Sequence, residues 1–276
     1  MRIGIGSYTF PWAIGIGAHQ PTRPLSALGL LDKAAALDVS VVQLCDNFPL
    51  ETLSSTELAQ LRDHALGLGI SLEIGTRGIT PAHLRRFLTL AQYLSSPLVR
   101  VVVDTLTEHP EPGQVIDCLR AVLPSYADAG IALAVENHDR YTAACLADIM
   151  TQLQSPFVGI CLDTVNSFGA LEGPEVVVNT LAPWVLNLHV KDFNITRVSH
   201  QLGWHITGCP AGAGRLNLPW LIATLKSAGR SPNAILEQWT PPEAEVTDTI
   251  AKEERWAWES LRYLQTIIPP PECLVR

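Results

Sequence analysis

Strand-length apolar runs and segments of helical period alternate eight times along this 276-residue chain. That count predicts the α/β class and, within it, a single (β/α)8 TIM barrel. Two further observations support the prediction. The strand runs read as apolar on both faces, which suits a parallel sheet covered by helices. The turn after the first run goes into Pro11 and Trp12 without the glycine-rich turn and helix start of an open dinucleotide-binding sheet.

The strand runs are RIGIGS (2–7), VVQLCD (41–46), SLEIGT (71–76), LVRVVVD (98–104), IALAVEN (131–137), VGICLD (158–163), VLNLHVKD (185–192) and AILEQW (234–239). Helical patterns cover 26–38, 56–68, 81–94, 113–129, 142–153, 174–182, 218–228 and 248–266. The last stops before Pro269, Pro270 and Pro271, which cannot continue a helix. One domain is expected over 1–276, with a long loop at 193–217 over the active face and a C-terminal tail at 267–276.

Gly15 and Gly17 lack the Lys-Ser/Thr ending of a phosphate loop, so the first loop reads as mobile rather than nucleotide-binding. The stretch 193–217 carries His200, Trp204, His205 and CPAGAG, and reads as the longest irregular segment. Such length points to a lid or substrate wall, with glycines supplying the freedom to close. Tyr8, Phe10 and Trp12 would form the opposite wall and Trp239 a third side, although core packing explains each tryptophan equally well.

Composition bounds the function. Hydrophobic residues make up 47 % and charged residues 17 %, enough for a large core. A net charge of -8 without a Lys/Arg cluster argues against nucleic acid as a partner. No apolar run approaches the roughly 18 residues that a membrane crossing needs. The six cysteines are scattered without a C-x-x-C pair, and the N-terminus lacks a secretion signal, so a cytoplasmic chain with free thiols is expected. The sequence leaves it as a monomer or a homo-oligomer.

In a barrel of this type the C-terminal strand ends open onto one face. Four consecutive strands each place one metal-binding side chain there: Glu136, Asp163, His189 and Glu237. Any one alone is a common helix cap or salt-bridge partner. Together they would bury three carboxylates near one another, which costs several kcal/mol without a compensating cation. The set suits one divalent ion with open positions, Mn²⁺, Mg²⁺ or Co²⁺ in preference to Zn²⁺.

The series VENH, CLDT, HVKD and LEQW, followed by PAGAGRLNLPWL, resembles the xylose-isomerase-like TIM barrel superfamily of sugar isomerases and epimerases. The resemblance covers nearly the whole chain. It implies that Glu136, Asp163, His189 and Glu237 coordinate one catalytic metal, and that Glu136 and Glu237 flank the substrate as acid and base. The chain departs from the pattern at Asn166, where many epimerases of that family have a histidine. Asn orients a hydroxyl but shuttles no proton, so His138 either takes over that role or fixes a carboxylate by a hydrogen bond.

Arg77, Lys191 and Arg197 add positive charge near the strand ends, and Trp12 an aromatic face. The cations either bind a substrate carboxylate or phosphate, or, for Arg77 and Arg197, pair with Asp46, Glu73 or Asp192. The leading expectation is a metal-dependent isomerase or epimerase that forms an enediolate from a small keto sugar or sugar acid. The alternative is a lyase on the same scaffold, a decarboxylase of a 3-oxo sugar acid or a dehydratase. A DNA-repair endonuclease of this fold would need more strand-end histidines and a basic groove, and a non-catalytic binding protein would not need a paired acid and base.

Overall fold

The computed structural model describes residues 1–269. The central element is a closed barrel of eight parallel strands: β1 (Ile3–Gly6), β2 (Val41–Leu44), β3 (Ser71–Arg77), β4 (Leu98–Val102), β5 (Ala132–Glu136), β6 (Val158–Asp163), β7 (Val185–Val190) and β10 (Asn233–Leu236). Neighbours follow chain order, and β1 closes the barrel by pairing with both β2 and β10.

Helices cover the outside: α1 (Pro11–Ile14), α2 (Ala27–Ala36), α3 (Ser55–Gly67), α4 (Pro81–Leu94), α5 (Pro112–Arg120), α6 (Leu123–Ala129), α7 (Ala143–Leu153), α8 (Pro174–Leu181), α9 (Leu218–Ser227) and α10 (Val246–Ile267). Their starts are written in the sequence. Ser26, Ser54, Thr142 and Asn217 each accept a first-turn backbone N–H, and Pro81, Pro112 and Pro174 stand where a missing N–H costs nothing.

The helical pattern at 113–129 is two helices, α5 and α6. Pro124 has no N–H to continue the ladder, so the chain breaks at Ala121 and Val122 and restarts. Pro11 and Trp12, expected to be helix-free, form the single turn α1 with Pro11 at its first position.

The segment 193–217 is not a long irregular loop. Its first half is an antiparallel hairpin of β8 (Asp192–Arg197) and β9 (Trp204–Cys209), paired from Asp192↔Cys209 to Arg197↔Trp204. Gly208 lies so close to the Trp239 carbonyl that a Cβ would stand 2.0 Å from its oxygen, which seats the hairpin against the strand that ends at Glu237. The second half is pinned rather than free. Buried Asp192 accepts backbone N–H groups from Phe193 and Leu216 on Oδ1, and from Gly212 and Gly214 on Oδ2. A Cβ on Gly214 would meet Asp192 Oδ1 at 2.2 Å, so that glycine serves close approach, not mobility.

The expectation of strands apolar on both faces holds outside and only in part inside, where Leu98, Ala134 and Cys161 form a small separate apolar cluster. Branched side chains pack outward under the helices in one continuous core. The inward positions carry Gln43, Glu73, Arg100, Asn187 and His189, all buried and bonded across the barrel. The tail expected at 267–276 lies outside the described residues from 270 onward, as does Cys273. Cys45, Cys118, Cys145, Cys161 and Cys209 are free thiols. Among the described residues no helix is long and apolar enough to cross a membrane.

Helix α10 reaches the rim through Glu253, whose buried carboxylate accepts the Trp12 and Ala13 backbone N–H groups. Burial pushes its pKa up to about 8, against the pull of those two donors. The native state therefore binds this proton more tightly than the unfolded chain, where a glutamate titrates near about 4.3. The contribution is fully present below that unfolded value and is lost as pH rises toward 8. Urea unfolding between pH 5 and about 8.5 should show stability falling by up to a few kcal/mol, with a flatter profile in Glu253→Gln.

Candidate active site

Barrel geometry brings the four strand-end residues together. Glu136 closes β5, Asp163 closes β6 beside His189 of β7, and Glu237 follows β10. All four are essentially buried. His189 is the hub: its Nδ1 lies 3.1 Å from Glu237 Oε1, 3.4 Å from Glu136 Oε2 and 3.9 Å from Asp163 Oδ2.

Each carboxylate is held differently. Asp163 Oδ1 accepts the Val165 and Asn166 backbone N–H groups, capping the turn at Asn166–Ala170 and leaving Oδ2 toward the cluster. Asn137 accepts the Asp163 N–H and donates to the Asp163 carbonyl, clamping the ends of β5 and β6. Glu136 is engaged at both oxygens: Asn166 donates to Oε1 at 2.7 Å, and the buried guanidinium of Arg100 pairs with Oε2. Burial pushes the Glu136 carboxyl up, but Arg100 and then His189 and Lys191 outweigh it, holding its pKa at about 2.

Lys191 spans the cluster, its Nζ 2.6 Å from Asp163 Oδ2 and 2.8 Å from Glu237 Oε2. Burial disfavours its charge, yet Asp163 and Glu237 hold its pKa well above the ordinary lysine value. These contacts are ion pairs without hydrogen-bond alignment. Asp163 Oδ2, His189 Nδ1 and both Glu237 oxygens remain buried polar atoms with no hydrogen-bond partner. Such orphans, converging from three residues within ligand range of one another, fit a divalent cation held by oxygen and imidazole. Glu136 adjoins that set with both oxygens already bonded. Cys161 Sγ is also near Glu136 and His189, but burial and the Glu136 charge keep it a thiol, in contact with Asn187 Oδ1.

Above the cluster opens a cavity of about 870 Å³. Lys191 and Asn166 form part of its floor, Tyr8 and Trp12 one wall, and Phe168 and Trp239 others. Trp12 is fixed by a bond from Nε1 to the Thr240 carbonyl.

Three of the expected substrate-binding residues stand apart from the cluster. Arg77 pairs with Asp46 at 3.3 Å and donates to the Asp104 carbonyl, the ion-pair alternative for that residue. Arg197 is on the hairpin, stacked over Trp204 and donating to the Gln201 carbonyl, because the pairing of β8 with β9 carries it away from the barrel. His138 turns to Asp139, 3.0 Å away, instead of toward Glu136.

Sequence reading missed Arg100, and it read Asp46 only as an ion-pair partner for Arg77 or Arg197. Arg100 lies inside the strand run LVRVVVD, pairs with Glu136 and reaches Asp46 Oδ1 at 2.7 Å. Its register partners are Gly75 and Ala134, and a Cβ on Gly75 would stand 3.1 Å from Arg100 Cδ. A charge flanked by two small residues on neighbouring strands was the available signal.

The chain and its fold are similar to known proteins. A family model described as a xylose isomerase-like TIM barrel matches residues 31–267. The 3-oxo-isoapionate decarboxylase of Pectobacterium atrosepticum is 35 % identical over 269 residues, covering 98 % of this chain and 97 % of that protein. Among solved structures, a D-psicose 3-epimerase in the presence of D-fructose superposes with a TM-score of 0.73 at 17 % identity, covering 98 % of this chain and 100 % of the other. A xylose isomerase-like TIM barrel protein from Mycobacterium smegmatis in complex with magnesium does so with a TM-score of 0.69 at 14 % identity, covering 95 % and 97 %.

Replacing Arg100 with Leu would leave Glu136 buried without its cation. A loss of about 3–5 kcal/mol in unfolding free energy is expected, measured by urea titration at neutral pH.

Proposed function

This chain belongs to the xylose isomerase-like TIM barrel family of enzymes, and from that premise we propose that it decarboxylates a 3-oxo acid of a small sugar. The observation that carries the reading is the asymmetry of the acid/base pair. Epimerisation inverts a carbon and needs a group that takes a proton on one face and another that returns one on the opposite face. Glu136 has both oxygens occupied and is held strongly acidic by Arg100, which removes it from proton exchange near neutral pH. Asn166 supplies no replacement. The Glu237 side, by contrast, reaches the cavity through Lys191.

Loss of carbon dioxide from a 3-oxo acid needs one proton, delivered to one face. The bond between C1 and C2 breaks, its electron pair moves through C2 to the C3 oxygen, carbon dioxide leaves, and C2 then takes a proton as the ketone re-forms. Asp163, His189 and Glu237 would hold a divalent ion, Mg²⁺, Mn²⁺ or Co²⁺ before Zn²⁺, which supplies a Lewis acid for the developing oxyanion. Lys191 places an ammonium on the cavity floor, where it pairs with the substrate carboxylate and donates the proton to C2. Asn166 orients a substrate hydroxyl with an amide already fixed by Glu136. The aromatic walls exclude water from the carbanionic carbon. The 3-oxo-isoapionate decarboxylase relative supports both the reaction and the substrate class.

The isomerase or epimerase reading keeps one observation in its favour: Glu136 and Glu237 both lie within 3.4 Å of His189 Nδ1, as a flanking pair would.

Incubation with a panel of 3-oxo sugar acids in deuterated water should release carbon dioxide and place one deuterium on the product carbon that was substrate C2, with none in recovered substrate. Deuterium in recovered substrate without gas release would replace this reading with the epimerase one. Lys191→Met should lower kcat by about 10²- to 10⁴-fold. Chelation should abolish turnover and Mg²⁺ or Mn²⁺ restore it.

A further inference from the structure

We infer that Glu73, two hydrogen bonds below the cluster and absent from it, is a positioning residue that fixes His189 in the tautomer able to bind a metal. Glu73 lies on β3 and is 1 % exposed. Its partners are all side-chain amides: Gln43 Nε2 at 3.0 Å and Asn187 Nδ2 at 2.8 Å donate to Oε2, and Asn233 Nδ2 at 2.7 Å donates to Oε1. An ionised carboxylate only accepts, so each amide must turn its NH₂ group toward it.

That requirement orients Gln43. With Nε2 committed to Glu73 and to Asn187 Oδ1, its Oε1 points the other way, accepting from Cys45 Sγ and lying 2.7 Å from His189 Nε2. An amide oxygen has no proton to give, so His189 Nε2 carries the hydrogen. Gln43 thereby keeps a proton on Nε2 and leaves Nδ1 as the nitrogen that faces Asp163, Glu136 and Glu237, the position a metal would take. Gln43, Asn187 and His189 are fully buried, so no solvent exchange offers an alternative partner. The opposite tautomer would aim an N–H at the carboxylates and a lone pair at the Gln43 oxygen, setting acceptor against acceptor. The sequence reading places Glu73 only as a partner for Arg77 or Arg197, but Arg77 pairs with Asp46 and Arg197 lies on the hairpin.

Glu73→Gln tests this. A neutral amide in place of the carboxylate accepts at one atom and donates at the other, so Gln43 is free to reverse. In metal-free protein labelled with ¹⁵N-histidine, two-bond ¹H–¹⁵N spectra should show wild-type His189 protonated at Nε2, and the variant shifted toward Nδ1 protonation. By titration calorimetry, Mn²⁺ should bind the variant about 10- to 100-fold more weakly. Asn233→Ala, which removes a donor from Glu73 without touching Gln43, should keep the wild-type tautomer. If Glu73→Gln does not fold, Gln43→Met removes the same relay while Glu73 keeps its two asparagines. Absence of a proton at Nε2 of wild-type His189, or an unchanged Nε2 proton in the variant that folds, overturns the inference. The measurement uses neither substrate nor metal, so its outcome is separate from that of the decarboxylase reading.

Discussion

The pairing of Arg100 with Glu136 and Asp46 is the interaction on which the interior depends. Four carboxylates, Glu73, Glu136, Asp163 and Glu237, are each at most 2 % exposed and share one barrel. Left alone they would repel, take up protons or force the strands apart. Three different devices prevent this. Arg100 neutralises Glu136 from below, Lys191 joins Asp163 and Glu237 from above, and amide N–H groups from Gln43, Asn187 and Asn233 solvate Glu73. A guanidinium suits the first position because its planar fork reaches two carboxylates at once while its charge is never lost.

Placing that charge inside a barrel constrains the strands around it. Gly75 and Ala134 leave the width that Arg100 occupies, and most branched residues pack on the outer face under the helices, with a small apolar cluster around Leu98 left inside. Beside that cluster the interior is a hydrogen-bonded polar column, with most of the hydrophobic stabilisation supplied outside it. Such a column is rigid only if every member is satisfied. The rim follows the same logic: Asp192, Asn137 and Glu253 each tie loop backbone to a buried side chain, holding the cavity walls over the cluster.

The fold was legible because outward apolar residues repeat with the strand and helix periods, and because serine, threonine, asparagine and proline mark the helix starts. Glu136, Asp163, His189 and Glu237 could be placed together because each ends a strand run, and all strand ends meet on one face. What escaped depends on contacts across the barrel. Arg100 and Gln43 lie two and one residues inside their strands, and nothing local says that their side chains cross to β5 and β7. The hairpin β8–β9 escaped for another reason: its strands hold polar residues exposed to solvent, so the period-2 signal that marks a half-buried strand is weak. Arg77 and Arg197 could not be assigned from sequence, since pairing with an acid and facing a substrate ask for the same residue type.

Two sides of His189 are thus chemically unequal. On one, Glu136 is tied by Arg100 and Asn166 into a closed set of bonds, so it contributes fixed negative charge. On the other, Glu237 has both oxygens free of hydrogen bonds and meets the cavity through a lysine. A reaction that inverts a carbon needs both sides to exchange protons, whereas one that replaces a departing carboxylate by a proton needs one. A single arginine in the middle of β4 thereby makes the two sides of His189 unequal.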